Sequence, residues 1–142
     1  MLDILLINSL LIAAVVIIHF EALTCISNIL PRLPDRRRFK ILFGIFGSLA
    51  AHVVEIWAFA LGYYLLIQEG DFGLLQGNTA NTLLDCAYFS FTTYTSLGLG
   101  DVEPIGKIRY LAGLESLTGL VLIGWTASFM YIEMQRYWTN NK

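Results

Sequence analysis

Charge is scarce in this sequence: Asp, Glu, Lys and Arg together make up 14% of its 142 residues, against 56% hydrophobic. With a mean hydropathy of +0.64, the composition excludes a soluble domain of ordinary surface-to-volume ratio. No basic run is interleaved with aromatics, which removes nucleic acid as a partner. The two cysteines, Cys25 and Cys86, stand far apart in apolar surroundings. They exclude a disulfide framework and a cysteine-rich metal site and read as small buried hydrophobes. The first apolar run lacks the basic flank and small-residue cleavage site of a secretory signal, carrying Asp3 instead. It reads as a retained membrane helix.

Three stretches are long enough to cross a hydrocarbon core of about 30 Å, which takes about 20 mainly apolar residues. They are Ile4 to Leu30, Phe39 to Ile67 and Ile108 to Tyr131. Each carries polar residues, so each is expected to face protein or water on one side. A fourth apolar stretch, Thr82 to Tyr94, is too short to span and leaves a re-entrant helix, buried core or an interfacial segment open. The loop from Pro31 to Lys40 holds five of the nine basic residues, which places it in the cytoplasm. The N-terminus and residues 68–107 are then outside and the C-terminal tail inside, with Tyr137 and Trp138 as an interfacial aromatic belt. The outer segment carries Glu69, Asp71, Asp85, Asp101 and Glu103 against Lys107. Two readings stand for it: an acidic vestibule that concentrates cations, and ordinary loop solvation.

After the short stretch, the run Thr95-Ser96-Leu97-Gly98-Leu99-Gly100-Asp101 ends in alternating glycines, with Pro104 three residues beyond the aspartate. Such glycines adopt positive φ freely. Alternation of this kind turns successive carbonyls inward as a stack of oxygen ligands, which can replace an ion's hydration shell. Irregular backbone at membrane depth survives only where protein or a water-filled cavity satisfies it.

The segment resembles the pore loop of the potassium channel superfamily, whose pattern is Thr-Val-Gly-Tyr-Gly-Asp with a proline three residues on. Thr95 and Ser96 match the threonine pair, Leu97 the valine, Gly98 and Gly100 the glycines, Asp101 the aspartate and Pro104 the proline. The resemblance covers about Phe39 to Trp138. It implies an all-α membrane protein with three transmembrane helices, a re-entrant pore helix and a filter loop, assembled as a homotetramer, because one chain carries one pore loop. The expected division is an additional helix at 1–30, a basic cytoplasmic loop at 31–40, a pore domain at 41–138 and a tail at 139–142. Three departures stand out. Ser96 replaces the threonine of the innermost ion site and keeps its hydroxyl but not its methyl. Leu99 replaces the aromatic that braces the filter, as in the second pore loop of some two-pore-domain potassium channels. Tyr88-Phe89 stands where a tryptophan pair is usual, and Thr92 stands where some relatives carry a filter-supporting carboxylate.

On the third span, Gly119 resembles the family's gating hinge if one residue is deleted after Pro104; close helix packing is the alternative reading. Helical spacing from Gly119 puts Leu120, Ile123, Gly124, Ala127 and Tyr131 near a cavity face, with Tyr131 at an inner gate. Glu115 lies about two to three turns below the outer surface and needs a partner there. We expect it to reach the back of the filter or of the pore helix, near Thr92 or Tyr94.

Both histidines fall inside spans, each close to a glutamate: His19 with Glu21, and His52 with Glu55. Counted from Arg32 and Arg38, they lie 13 and 14 residues into their helices, at similar depth in an antiparallel hairpin. A structural hydrogen-bond network, a proton sensor and a metal site, zinc or another ion, all remain open for His19, Glu21, His52 and Glu55.

The reading that follows is a non-enzymatic passive cation channel of the inner (plasma) membrane. Potassium is the expected ion, held by filter carbonyls and the Ser96 hydroxyl, with no other cofactor and with lipids as surroundings. A weakly selective monovalent cation channel, a non-conducting signalling subunit, and a membrane metal- or proton-binding protein, including a metalloenzyme, are the alternatives. No arginine ladder for voltage sensing stands within a span, and nothing in these residues resembles a nucleotide- or calcium-binding domain.

Overall fold

A computed structural model describes residues 2–34 and 36–139, with the side chains of 137–139 left aside. Asp35, the aromatic belt expected at Tyr137 and Trp138, and the tail residues 140–142 lie outside the described residues. Three long helices dominate: α1 (Leu2–Ile29), continued by a 3-10 turn at Leu30–Arg32, α2 (Arg37–Glu69) and α4 (Ile108–Thr139). Each is long and apolar enough to cross a membrane. Between α2 and α4 stand β1 (Gly73–Gly77), the short helix α3 (Leu83–Tyr94) and β2 (Val102–Gly106).

The spans pack through narrow stripes. On α1 the buried residues are Ile4, Asn8, Val15, His19, Leu23 and Ile26, spaced by three, four or seven along one helix face. The other faces expose Leu10, Phe20, Phe46, Leu65 and Leu120, as expected where lipid or another subunit replaces water. Asn8 is an exception on its stripe: its amide is buried and finds no hydrogen-bond partner among the described residues.

α3 is wedged between α2 and α4, and α1 lies against α2 and α4. The core closes around Phe59, Tyr63, Tyr94, Ile108, Leu111 and Leu122. The expected all-α architecture gains a small antiparallel ribbon, in which Gly73 pairs with Gly106, Leu75 with Pro104 and Gly77 with Val102. The strands approach so closely that a Cβ on Gly73 or Gly77 would overlap the facing backbone, and both glycines have positive φ. Asn81 secures the ribbon by bracketing Leu75, donating to its carbonyl at 3.1 Å and accepting from its N–H at 2.9 Å.

Candidate functional site

Helix α3, the expected pore helix, is fixed at both ends. At its N-terminus the Thr82 hydroxyl accepts from the Asp85 N–H at 3.2 Å, while the Asp85 carboxylate accepts from the Thr82 N–H at 3.0 Å, a reciprocal capping box. Hydrogen bonds from the Thr82 and Ala80 backbones hold the Asp85 carboxyl below the usual carboxylate range. At the C-terminus the chain folds back on the helix's last carbonyls. Leu97 and Gly98 both donate to Thr92 O, at 2.9 and 3.1 Å, and Ser96 donates to Thr93 O at 2.9 Å.

From there the backbone alternates. φ is +58° at Ser96, +53° at Gly98 and +78° at Gly100, whereas Leu97 and Leu99 are not in the positive-φ region. A Cβ on Gly98 or Gly100 would meet nothing within 4 Å, so conformation rather than space calls for glycine there. Ser96 holds the same left-handed conformation with a side chain, and its Oγ lies 2.9 Å from the Ser116 Oγ of α4. At the far end of the segment the Tyr88 hydroxyl donates to Asp101 Oδ2 at 2.8 Å, a tie from α3 to the residue that follows the alternating backbone. That bond raises the Tyr88 phenol above its ordinary pKa. Phe89 packs edge-on against Tyr63, with ring centroids 5.1 Å apart.

Glu115 is fully buried, and its partners differ from those expected. It accepts from the Tyr63 hydroxyl at 2.6 Å and from the Ser90 hydroxyl at 2.5 Å. Thr92 instead turns its hydroxyl to Phe89 O at 2.9 Å. The carboxylate therefore joins α2, α3 and α4 behind the pore helix without touching the filter itself.

The Tyr94 hydroxyl donates to the second buried carboxylate, Glu55. His19 Nδ1 lies 2.8 Å from Glu55 Oε1 and His52 Nδ1 lies 3.2 Å from Oε2. The structure thus brings His19, His52 and Glu55 together, with ligand atoms within 4.8 Å of one another, close enough to hold a metal ion. Glu21 does not join them: two residues along the helix from His19, it is exposed on another face of α1. Tyr94 and Thr126 complete the cluster. Thr126 carries no sequence signal beyond its spacing, 11 residues after Glu115, about three turns along the same face of α4.

On α4, Gly119 is buried, and a Cβ there would overlap the Tyr94 carbonyl. Its smallness admits the pore helix, which is the packing reading. Leu120, Ile123, Gly124, Ala127 and Tyr131 form an exposed strip. Ile123 and Ala127 line a cavity of about 630 Å³ with His52, Tyr94, Thr95 and Thr126. Tyr131 accepts from Gln135 Nε2 at 2.8 Å.

No curated protein and no solved structure matches the chain. A family model described as an ion channel does match, over residues 51–136. That stretch includes most of α2, the pore helix, the alternating backbone at 96–100 and nearly all of α4. The chain is therefore a multi-pass membrane protein of the ion channel family, with a pore domain of the potassium-channel type.

Proposed function

We propose that four copies of this chain form a pore that conducts monovalent cations passively, potassium foremost. Filter carbonyls between Thr95 and Leu99, with the Ser96 hydroxyl, serve as ligands. The observation that carries the reading is the alternation of positive φ at Ser96, Gly98 and Gly100, directly after a helix whose C-terminal, partially negative end faces the same segment. Carbonyls turned one way by such alternation offer the oxygen cage that substitutes for water around a cation. Four chains are needed because one strand of carbonyls cannot surround an ion.

The chain sits in the plasma (inner) membrane of its cell. The loop with Arg32, Arg36, Arg37, Arg38 and Lys40 lies in the cytoplasm, the N-terminus outside and the C-terminus inside. The exposed strip of Leu120, Ile123, Gly124, Ala127 and Tyr131 provides the inner-helix surface along which the pore opens, with Gly119 buried behind it against α3. A second reading, weak selectivity among monovalent cations, draws on Leu99. Its side chain is 59% exposed and offers no hydroxyl to hold the filter's diameter.

Purified protein reconstituted in liposomes decides between these readings. Under opposed potassium and sodium gradients, a reversal potential near the potassium equilibrium value supports the first, and one near zero supports the second. Absence of current and of flux for both ions refutes conduction by this chain.

A further inference from the structure

Conduction leaves one buried group of side chains unused, the cluster joining α1 to the pore domain. Its geometry is paired. Both imidazoles direct Nδ1 at the Glu55 carboxylate, and both direct Nε2 at the Thr126 hydroxyl, at 3.4 Å for His19 and 3.0 Å for His52. The ring centroids are 5.3 Å apart.

Counting hydrogens shows that this ring of bonds is one short. Tyr94 has a single hydroxyl hydrogen and gives it to Glu55. His52 Nδ1 then faces two acceptors, Glu55 and the Tyr94 oxygen at 2.9 Å, so it carries hydrogen. His19 Nδ1 faces Glu55 Oε1 and carries hydrogen too. In neutral imidazoles both Nε2 atoms are then acceptors. They compete for the one hydrogen of Thr126.

We propose that His19 Nδ1, His52 Nδ1 and Glu55 bind one divalent transition-metal ion of the zinc class. The two imidazole hydrogens then reside on Nε2, and both donate to the two lone pairs of Thr126 Oγ, which completes the ring. Neutral imidazoles bind the ion by this tautomer shift, with no net proton released. A hydrogen-bonded second ring nitrogen is the usual outer-shell support of a metal-binding histidine.

Separations fit as well. Tetrahedral ligands about 2.0–2.1 Å from zinc lie about 3.3 Å from one another; the histidines stand 2.8 and 3.2 Å from Glu55 and all three ligand atoms lie within 4.8 Å of one another, so the two Nδ1 atoms, which face different carboxylate oxygens, close on the ion as it binds. Water or the Tyr94 oxygen takes the fourth position. Two imidazoles and one carboxylate suit zinc, copper, nickel or iron rather than magnesium or calcium. The cavity lined by His52, Tyr94 and Thr126 gives the ion a way in.

The test uses the full chain purified in detergent, exposed to zinc and desalted, with metal counted by inductively coupled plasma mass spectrometry. About one zinc per chain is expected, and cobalt(II) in its place should give the intense visible bands of tetrahedral coordination. Thr126→Val keeps the ligands and should weaken binding about 10- to 100-fold. The double variant His19→Gln/His52→Gln should lose the ion; if it fails to fold, the wild-type cobalt spectrum decides. Folded wild-type protein that emerges metal-free overturns the proposal, leaving an added proton on one imidazole to complete the ring. Zinc retained by the folded double variant overturns it as well.

Discussion

Gly119→Ala separates two physical terms of opposite sign. Alanine in a helix interior is favoured over glycine by about 0.8–1.0 kcal/mol, so on propensity alone the variant is more stable. Its Cβ, however, would overlap the Tyr94 carbonyl, and a backbone carbonyl held at the end of the pore helix cannot swing aside as a flexible side chain would. Overpacking of this kind costs about 1–3 kcal/mol. The contact is far inside van der Waals range, which puts the cost in the upper part of that span; the packing term wins, and a net loss of up to about 2 kcal/mol is expected. In thermal unfolding of the purified protein, that is a fall of roughly 2–4 °C for each kcal/mol in a chain near this size. Gly113 and Gly124 serve as controls, since a Cβ on either meets nothing within 4 Å. Their alanine variants should be as stable as wild type or more so. A Gly119→Ala protein as stable as those two would refute the packing argument and leave the hinge reading of this glycine standing alone.

Further measurements bear on other contacts. Glu115→Gln should stay within about 1 kcal/mol of wild type, because the amide oxygen can accept from Tyr63 while the amide N–H donates to Ser90, whose own hydrogen turns to Ile56 O, 2.9 Å away. Glu115→Leu should lose about 1–3 kcal/mol by stranding the buried Tyr63 hydroxyl; equal unfolding temperatures for the two variants would contradict the bonding described. Asn8→Leu removes an amide with no partner among the described residues and should raise stability by about 1–3 kcal/mol. A loss instead would mean that a neighbouring subunit bonds the amide. Because the folded-state pKa of Asp85 is depressed, its contribution is present above the ordinary carboxylate range and lost as pH falls through the folded value. Protection of the first α3 amides, corrected for intrinsic exchange, should therefore decline on acidification; the decline should be absent in Asp85→Asn.

The elements with a periodic or length signal were legible in the sequence. The expected first span, Ile4 to Leu30, compares with α1 at Leu2–Ile29, and the short stretch from Thr82 to Tyr94 compares with α3 at Leu83–Tyr94 behind its Thr82 cap. The ribbon was not legible. Glycine and proline, as at Gly73, Gly77, Pro104 and Gly106, carry no strand signal, and the pairing that makes strands of them joins positions about thirty residues apart, which local pattern does not carry. The meeting of His19 and His52 follows from equal depth in a hairpin, and helical spacing alone puts Glu55 on the face of His52 and Glu21 off the face of His19. Two residues along a helix turn a side chain about 200° away. The same two-residue arithmetic separates Ser90, which Glu115 reaches, from Thr92, which it does not.

The ribbon also bears on how the helices can move. Its pairing from Gly73–Gly106 to Gly77–Val102, extended by the bond from Ile108 N–H to Phe72 O at 3.1 Å, rivets the outer ends of α2 and α4 together. The pore helix and filter hang from that rivet as a closed loop. α2 and α4 are then a pair of tongs joined at the ribbon, free to part only toward the basic loop. Any large displacement of α4 must grow with distance from the ribbon, so the segment at 96–100 can stay still while the opposite end swings.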